Sequence, residues 1–207
     1  MKLILASASQ RRRELLEMCG YDFEIEVSRA DEHIFEPDPE KFVRKLAETK
    51  AKEVFSRLEA EKNERKALFN GEDRDEEIAV LGSDTVVYYD GGIIGKPVDE
   101  EDAVRILSLL SGKTHEVYTG VAVVTAESCS VECSVTRVKF AELSEEEIEK
   151  YAVSGEPLDK AGAYGIQGPF GMFVDGIEGN YFTVIGLPLP VAYRMLKAVG
   201  ILPRILR

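Results

Sequence analysis

The chain has 207 residues and a formal net charge of −12, and 44% of its residues are hydrophobic. A chain of this size can bury the core of a folded domain, but its negative charge excludes a broad binding surface for nucleic acid or anionic membrane, because both are themselves negative. No apolar run reaches the length of a membrane span, and three cysteines are too few for a disulfide framework. We therefore expect a soluble, cytoplasmic protein whose cysteines, at positions 19, 129 and 133, are reduced core residues.

The first elements predicted along the chain are a strand, a helix and a second strand. Residues 2–6 form a short apolar run that predicts a buried strand. In the helix that follows, Leu15 and Leu16 should face inward and Gly20 should supply the C-terminal stop. Residues 23–27 alternate between apolar and polar side chains, which indicates the next strand.

A long helix follows an acidic, proline-containing loop. Its apolar residues recur at spacings of three and four from about Pro39 to Leu58, so we place the helix there. Residues 59–77 lose this periodicity and become almost wholly polar, a composition typical of a mobile surface connection. We interpret this segment as a polar insertion within one domain that covers residues 1–207.

The rest of the chain mixes strands with helices. Residues 78–89 read as two strands around a Ser-Asp-Thr corner, followed by an Asp-Gly-Gly turn. Ser144, three residues before Glu147, forms a capping box that starts a helix. The remaining predictions are a helix around 103–110, a strand pair within 112–143, a strand at about 172–178 and a helix after the GLPLP segment. This alternation predicts an α/β or α+β fold.

Three consecutive arginines, Arg11 to Arg13, follow a small-residue turn at 7–9 that opens the first helix. Free backbone N–H groups at such a terminus favour phosphate or carboxylate. Arginines are electrostatically unfavourable at the positive end of a helix dipole, where acidic residues are preferred. The pattern indicates either an anion site or a solvated basic turn paired with surface carboxylates.

Four further charged residues stand out. Lys50 falls on the face of the long helix that should be buried, so its ammonium either reaches a partner or extends to the rim. Lys96 lies in a Gly-Lys-Pro loop, and Asp84 follows an apolar run at the expected end of a buried strand. Each acid, including Glu32 in its loop, could be a turn or cap residue. Together with the cations, they form the set that metal-assisted phosphoryl chemistry requires.

Eight motifs occur in order between residue 3 and about residue 195. They are LASASQRRRELL at 5–16, DE at 31–32, LAETKA at 46–51, GSDTVV at 82–87, GKP at 95–97, LSGKTHEVYTGVAV at 110–123, DKAGAYGIQG at 159–168 and GLPL at 186–189. Together these motifs resemble the Maf family of nucleotide pyrophosphatases. The resemblance implies a mixed α/β fold like that of inosine-triphosphate pyrophosphatases, with two lobes around a deep central cleft. It also implies hydrolysis of a nucleoside triphosphate to the monophosphate and pyrophosphate with Mg²⁺ or Mn²⁺, often by a homodimer.

The resemblance also assigns roles to residues of this chain. The turn from Ser7 to Arg12 would wrap the triphosphate, and Lys50 and Lys96 would contact it from the other lobe. Glu32 and Asp84 would handle metal and water, with Asp84 as the proton acceptor. The substrate-binding set that follows from the resemblance is Ser7, Ser9, Arg11, Arg12, Thr85 and Gln167.

Substrate choice divides the family. A branch acting on dTTP and UTP has an arginine after the first turn, a threonine after the aspartate and an Ile-Gln pair in the glycine-rich loop. This chain matches it at Arg11, Thr85, Ile166 and Gln167. A glutamine amide presents a donor and an acceptor together, which suits the N3–H and carbonyl edge of thymine or uracil.

One departure and two alternatives complete these expectations. Gln10 stands where the family usually has proline, and this change should loosen the turn by up to about 1 kcal/mol. The first alternative function is a purine or 7-methyl-GTP pyrophosphatase of the same fold. The second is a non-catalytic, nucleotide-binding regulator of septum formation, against which the acids Glu32 and Asp84 argue, because a carboxylate repels phosphate unless a metal intervenes.

Overall fold

The structure, a computed structural model, describes residues 1–68 and 77–207. The strands of its single sheet are β1 Lys2–Leu5, β2 Phe23–Ile25, β3 Ile78–Tyr89, β4 Gly92–Ile94, β5 Thr114–Val124, β6 Cys129–Phe140 and β7 Val174–Glu178. The α-helices are α1 Gln10–Met18, α2 Pro39–Leu68, α3 Glu100–Leu110, α4 Glu145–Ala152, α5 Tyr181–Ile185 and α6 Leu189–Ala198. Short 3₁₀ helices span Glu156–Asp159, Ala161–Ala163, Pro169–Phe173 and Arg204–Leu206.

The sheet is mixed, which confirms the predicted α/β class. Its strand order is β2-β1-β3-β5-β6-β7, with β4 paired to β3. β1 runs parallel to both β2 and β3, and the other pairs are antiparallel. The chain leaves β1 toward β2 on one side and returns to β3 on the other. The carboxyl end of β1 is therefore a topological switch point, where open α/β sheets place their ligands.

Side chains of β1 alternate between the two faces of the sheet. Leu3 and Leu5 belong to a buried cluster that includes Leu15 of α1. Ile4 belongs to a second cluster, which includes Ala47 of α2. The two helices thus cover opposite faces of the same strand, and this part of the sheet with α1, α2 and α6 makes one lobe.

A third cluster makes the other lobe. It packs α3 and α4 on the far halves of β3, β5 and β6, around buried side chains such as Leu107, Phe140, Ile148 and Phe170. β3 and β6 have twelve residues each and β5 has eleven, so these strands pass through both lobes. The chain therefore has two lobes built on one continuous sheet, as the resemblance implied.

The predicted corner at Ser-Asp-Thr is wrong, because β3 continues through it without interruption. β5 pairs with β3 from Val80 to Tyr88, so Asp84 lies opposite Gly120 in the middle of a strand. On the other edge of β3, β1 pairs as far as Leu81. The polar residues that suggested a corner lie inside β3. Asp84 is therefore not at the end of a strand, where the sequence predicted it.

The helix predicted to end at Leu58 continues to Leu68, so the first part of the predicted polar insertion is helical. Glutamate, lysine and alanine favour a helix without burying a face. Ion pairs link successive turns, with Arg57 Nε 3.1 Å from Glu53 and Nη1 3.9 Å from Glu61. Periodicity marks only the part of α2 that packs on the sheet, and residues 69–76 of the predicted insertion lie outside the described residues. No helix in the described ranges is long and apolar enough to cross a membrane.

The cysteines agree only in part with the sequence prediction. All three are free thiols, as expected, but Cys129 is exposed and Cys19 and Cys133 are half-buried. Cys129 begins β6 beside the turn that follows β5, and its Sγ lies 3.7 Å from the Glu48 carboxylate. The interpretation of Cys129 as a core residue is wrong, because the end of a hairpin lies at the edge of the core.

Two glycines let α2 lie directly on the sheet backbone. A Cβ at Gly82 of β3 would lie 2.3 Å from the Ala47 carbonyl oxygen, and a Cβ at Gly120 of β5 would lie 2.3 Å from that of Val43. Real Cβ atoms do not approach backbone oxygen so closely, so any side chain at these two positions would push the helix away. The glycines bring the helix face that carries Lys50 against the strand that carries Asp84.

We predict that Gly120→Ala lowers the free energy of unfolding by about 3 kcal/mol, because the added methyl group must displace α2. Gly176→Ala in β7 is the matched control, since nothing lies within 4 Å of the Cβ it would add. It should change stability by less than about 0.5 kcal/mol. Urea unfolding of both variants measures the difference, and equal losses would contradict the close approach of α2.

Candidate active site

A cleft of about 730 Å³ opens between the two lobes at the carboxyl end of β1. This size lies within the range of small-molecule sites. Segments of both lobes line it: residues 6–12, Glu32, Lys50, Asp84, Thr85, Val87, Lys96, Glu156 and residues 159–168 among them. All ten residues that the sequence singled out as catalytic or substrate-binding line this cleft. The fold thus brings together side chains that are far apart in the chain.

Arg12 is fixed at the base of the cleft by three acceptors. Its Nε donates to the Gly186 carbonyl oxygen at 2.8 Å, Nη1 to Ser7 Oγ at 3.1 Å and Nη2 to Thr85 Oγ1 at 3.1 Å. Burial lowers the Arg12 pKa and the nearby Asp84 raises it, but the group stays charged, because arginine titrates far above neutral pH. Two of its five N–H groups have no acceptor among the described residues, so they are available to a ligand.

The N-terminus of α1 adds backbone donors beside Arg12. Ser9 is the N-cap, and its side chain makes no capping hydrogen bond. Its own N–H donates to Ser7 Oγ at 3.2 Å. The helix begins at Gln10, whose side chain donates to Glu14 at 2.9 Å, so the turn forms without the family's proline. The free N–H groups of the first turn favour a bound anion.

Lys50 joins two carboxylates. Its Nζ lies 2.7 Å from Asp84 Oδ1 and 2.8 Å from Glu32 Oε2. Lys50 and Asp84 are each only 8% exposed, so the ammonium reaches a buried partner and does not extend to solvent. The expectation that Lys50 enters from the other lobe is wrong: α2 packs on the same half of the sheet as the Ser7 turn, on its opposite face.

Burial raises the pKa of the Asp84 carboxyl above its ordinary value. The charge and hydrogen bond of Lys50, and the charge of Arg12, act in the opposite direction. Asp84 is therefore a carboxylate whose basicity is increased by its surroundings while a cation holds one of its oxygens. Groups of this kind are suited to accepting a proton near neutral pH.

Arg11 points across the cleft to the other lobe. Its Nη1 lies 2.9 Å from Asp159 Oδ2, while Lys160 Nζ lies 2.7 Å from the other oxygen of the same carboxylate. Burial acts to raise the Asp159 pKa, but these two cations outweigh it and lower the pKa. Sequence reasoning had not singled out Asp159 and Lys160, although the DKAGAYGIQG motif contains both. Arg13 pairs with Glu17 at 2.7 Å on the surface.

Lys96 and Gln167 lie on loops of the second lobe. Lys96 is exposed on the loop after β4, and no described residue forms an ion pair with it. Gln167 is exposed in the loop at 165–168, next to the half-buried Ile166. Both side chains thus lie on the opposite wall of the cleft from Arg12.

Comparison with known proteins identifies the family of the chain. The family model described as Maf-like protein matches residues 2–199, and the chain belongs to this family. It is 46% identical over 207 residues to a dTTP/UTP pyrophosphatase of Agathobacter rectalis, covering 97% of this chain and 98% of that protein. It is 46% identical over 200 residues to a dTTP/UTP pyrophosphatase of Thermotoga maritima, covering 97% of this chain and 90% of that protein. It is 47% identical over 201 residues to a dTTP/UTP pyrophosphatase of Bacillus cereus, covering 97% of this chain and 96% of that protein.

We predict that Lys50→Met lowers the free energy of unfolding at pH 7 by about 3 kcal/mol, because it leaves a buried Asp84 carboxylate without its cation. The deficit should shrink as the pH falls, since Asp84 then becomes protonated and uncharged. Adding Asp84→Asn should recover most of the loss. Lys52→Met removes an exposed ion pair with Glu48 on the same helix and should change the free energy of unfolding far less, because solvent screens that pair. Denaturant unfolding between pH 5 and pH 8 measures the wild type, the two single variants and the double variant. A pH-independent loss in Lys50→Met would contradict the assignment of Asp84 as the buried charge that Lys50 neutralises.

Proposed function

We propose that this protein hydrolyses dTTP and UTP to the nucleoside monophosphate and pyrophosphate. The observation that carries the proposal is the cleft in which a buried carboxylate of raised pKa, Asp84, stands beside a fixed arginine with two free N–H groups. Relatives that match almost the whole chain are named dTTP/UTP pyrophosphatases, which supports the same substrates here.

The polyphosphate binds, in this proposal, along the wall made by the Ser7 turn. Arg12 supplies two charged N–H groups, and the first turn of α1 supplies backbone donors. Arg11 exchanges the Asp159 carboxylate for phosphate, and Lys96 contributes a cation from the opposite lobe. The phosphate ligands proposed are Ser7, Ser9, Arg11, Arg12, Lys50 and Lys96.

Glu32 and Asp84 would hold a divalent cation, Mg²⁺ or Mn²⁺. The donor chemistry fits: two carboxylates already converge on one positive group, the Lys50 ammonium. Among the described residues no three acidic, histidine or cysteine side chains converge as a complete site. When bound, the cation would neutralise phosphate charge and acidify a water.

Asp84 acts as the proton acceptor for the water that attacks the α-phosphorus in line. Its Oδ1 is held by Lys50, which leaves Oδ2 for the water. The raised pKa of Asp84 makes it a stronger base than an exposed carboxylate, and the pairing with Lys50 keeps it ionised. Arg12, Lys96 and Lys50 stabilise negative charge on the phosphates as the bond to the pyrophosphate leaving group breaks.

The base is recognised by the second lobe. Gln167 offers an amide donor and acceptor to the N3–H and carbonyl edge of thymine or uracil. Ile166 supplies an apolar surface next to it, and Thr85 lies across the cleft. Guanine presents a different pattern of donors and acceptors and would pair better with a glutamate at this position.

We further propose that the protein acts in the cytoplasm, since its three cysteines are free thiols, as a reducing compartment maintains them. The homodimer remains a prediction from the family resemblance.

The test of the function is a nucleotide panel. Purified protein is incubated with Mg²⁺ or Mn²⁺ and dTTP, UTP, purine triphosphates or 7-methyl-GTP, and released pyrophosphate is measured against orthophosphate. We expect pyrophosphate from dTTP and UTP and little from the others. Turnover of purine nucleotides or 7-methyl-GTP would favour the first alternative. Binding without any release would favour the regulator of septum formation.

Asp84→Asn should lower kcat at least about 1,000-fold, because the amide cannot accept the proton, while nucleotide binding remains measurable. Lys96→Ala should weaken both binding and turnover, since it removes a phosphate contact and no proton acceptor. Calorimetric binding and steady-state kinetics on the same preparations separate the two effects. Full activity in Asp84→Asn would remove Asp84 from the mechanism.

Gln167→Glu should lower kcat/KM for dTTP and UTP by about tenfold or more, because a carboxylate has lost the donor that the amide offered to the base carbonyl. Turnover of inorganic tripolyphosphate, if present, should not change, since that molecule has no base. The substrate profile measures the effect, and an unchanged profile would contradict the proposed base recognition.

A further inference from the structure

A row of hydroxyl groups crosses the sheet beneath the cleft. Thr85 on β3 is paired with Thr119 on β5, and Thr119 with Ser134 on β6. Thr119 is fully buried, and its Oγ1 lies 3.0 Å from Thr85 Oγ1 and 2.8 Å from the Thr183 carbonyl oxygen of α5. Thr183 Oγ1 in turn lies 2.8 Å from Ser134 Oγ. None of these groups except Thr85 lines the cleft.

The direction of the hydrogen bonds in this row is fixed by its two ends. Arg12 can only donate, so Thr85 Oγ1 must accept from Arg12 Nη2. The carbonyl of Thr183 can only accept, so the Thr119 hydroxyl must donate to it. Since the proton of Thr119 is committed there, Thr85 must donate to Thr119. Each hydrogen bond in the row therefore points the same way from donor to acceptor, from Arg12 through Thr85 and Thr119 to Thr183.

Thr119 also supports the second acceptor of Arg12. The Thr183 carbonyl accepts both the Thr119 hydroxyl and the Gly186 N–H, the latter at 3.1 Å. The Gly186 carbonyl accepts Arg12 Nε. The hydroxyl of Thr119 thus contacts the Thr85 acceptor directly and the turn that presents the Gly186 acceptor. Ser83 Oγ also donates to the Gly186 carbonyl oxygen at 3.0 Å, so Thr119 shares the support of that turn. Two of the three contacts that orient the guanidinium are linked to Thr119.

We infer that Thr119 is a positioning residue that aims the two free N–H groups of Arg12 at the polyphosphate. The inference rests on the proposed function for the identity of the substrate, but not for the binding of a polyphosphate. The same hydrogen bonds fix the role of the Thr85 hydroxyl, which donates its proton to Thr119. Thr85 can only accept a hydrogen bond from a ligand, so it faces an N–H or hydroxyl group of the nucleoside and gives nothing to phosphate.

The experiment compares Thr119→Val, Thr119→Ser and Thr125→Val with the wild type. Valine keeps the shape of threonine but removes the hydroxyl, and serine keeps the hydroxyl. Thr125 follows the other end of β5, where its hydroxyl accepts from the backbone N–H groups of Glu127 and Ser128. The same substitution there removes buried hydroxyl bonds without touching Arg12. Inorganic tripolyphosphate is the probe, and its Kd is measured by calorimetry in Mg²⁺ buffer beside the thermal unfolding midpoint.

Thr119→Val should weaken tripolyphosphate binding by about tenfold, the factor that corresponds to loss of one hydrogen bond's net contribution. Thr119→Ser should bind tripolyphosphate within about twofold of the wild type. Thr125→Val should also bind it within about twofold, even if its unfolding midpoint falls as far as that of Thr119→Val. KM for the nucleotide should rise with the Kd in Thr119→Val. Equal binding by Thr119→Val and Thr125→Val, or failure of serine to restore affinity, overturns the inference.

The role of Thr119 can still be tested if Thr119→Val does not fold or if the protein is not a pyrophosphatase. If Thr119→Val does not fold, Thr119→Ser is compared with Thr119→Ala, since these differ by the single oxygen atom. The alanine variant is then expected to bind about tenfold more weakly than the serine variant, and equal binding overturns the inference. If the wild type releases no pyrophosphate from any nucleotide, the proposed function fails, while the tripolyphosphate comparison still decides the role of Thr119.

Discussion

The ion pair between Lys50 and Asp84 is the interaction on which the rest of the site depends. Two charges this far from solvent are stable only in close mutual contact, here 2.7 Å, because each would be costly to bury alone. That contact requires α2 to lie on the backbone of the sheet, which in turn requires Gly82 and Gly120 to lack side chains. The helix, the glycines and the paired charges thus form a single constraint, and the position of the Asp84 carboxylate follows from it.

The fold concentrates the other groups around this pair. β1 ends at the switch point of the parallel part of the sheet, and the turn that follows carries the Ser7 hydroxyl and Arg12. β3 runs past that point, so Asp84 and Thr85 extend beyond the end of its neighbour. A buried row of hydroxyls then holds the arginine from below. Anion donors come from one strand end, and Asp84 and Thr85 from the middle of the next strand.

Much of this was predictable from the sequence. Periodicity located most helices and strands. A lysine on the apolar face of a helix indicated either a partner for a buried charge or a side chain that extends to the rim, and the structure shows the partner. The errors have physical causes. Polar residues inside β3 looked like a corner because local sequence does not show that β5 will pair with them. The end of α2 is held by ion pairs and helix propensity, neither of which leaves an apolar stripe. Asp159 was missed because its partner, Arg11, is 148 residues away in the chain.

The continuous strands have a mechanical consequence for the cleft. β3, β5 and β6 each carry their ladder hydrogen bonds from one lobe into the other. A hinge between the lobes would have to bend or break this ladder, and hinges form where a few loop residues absorb the change. The distance between the two walls is therefore set by the twist of the sheet and not by closure on a ligand. With phosphates at one wall and the base at the other, as proposed, discrimination between bases would depend on how well a nucleotide spans a gap of fixed width.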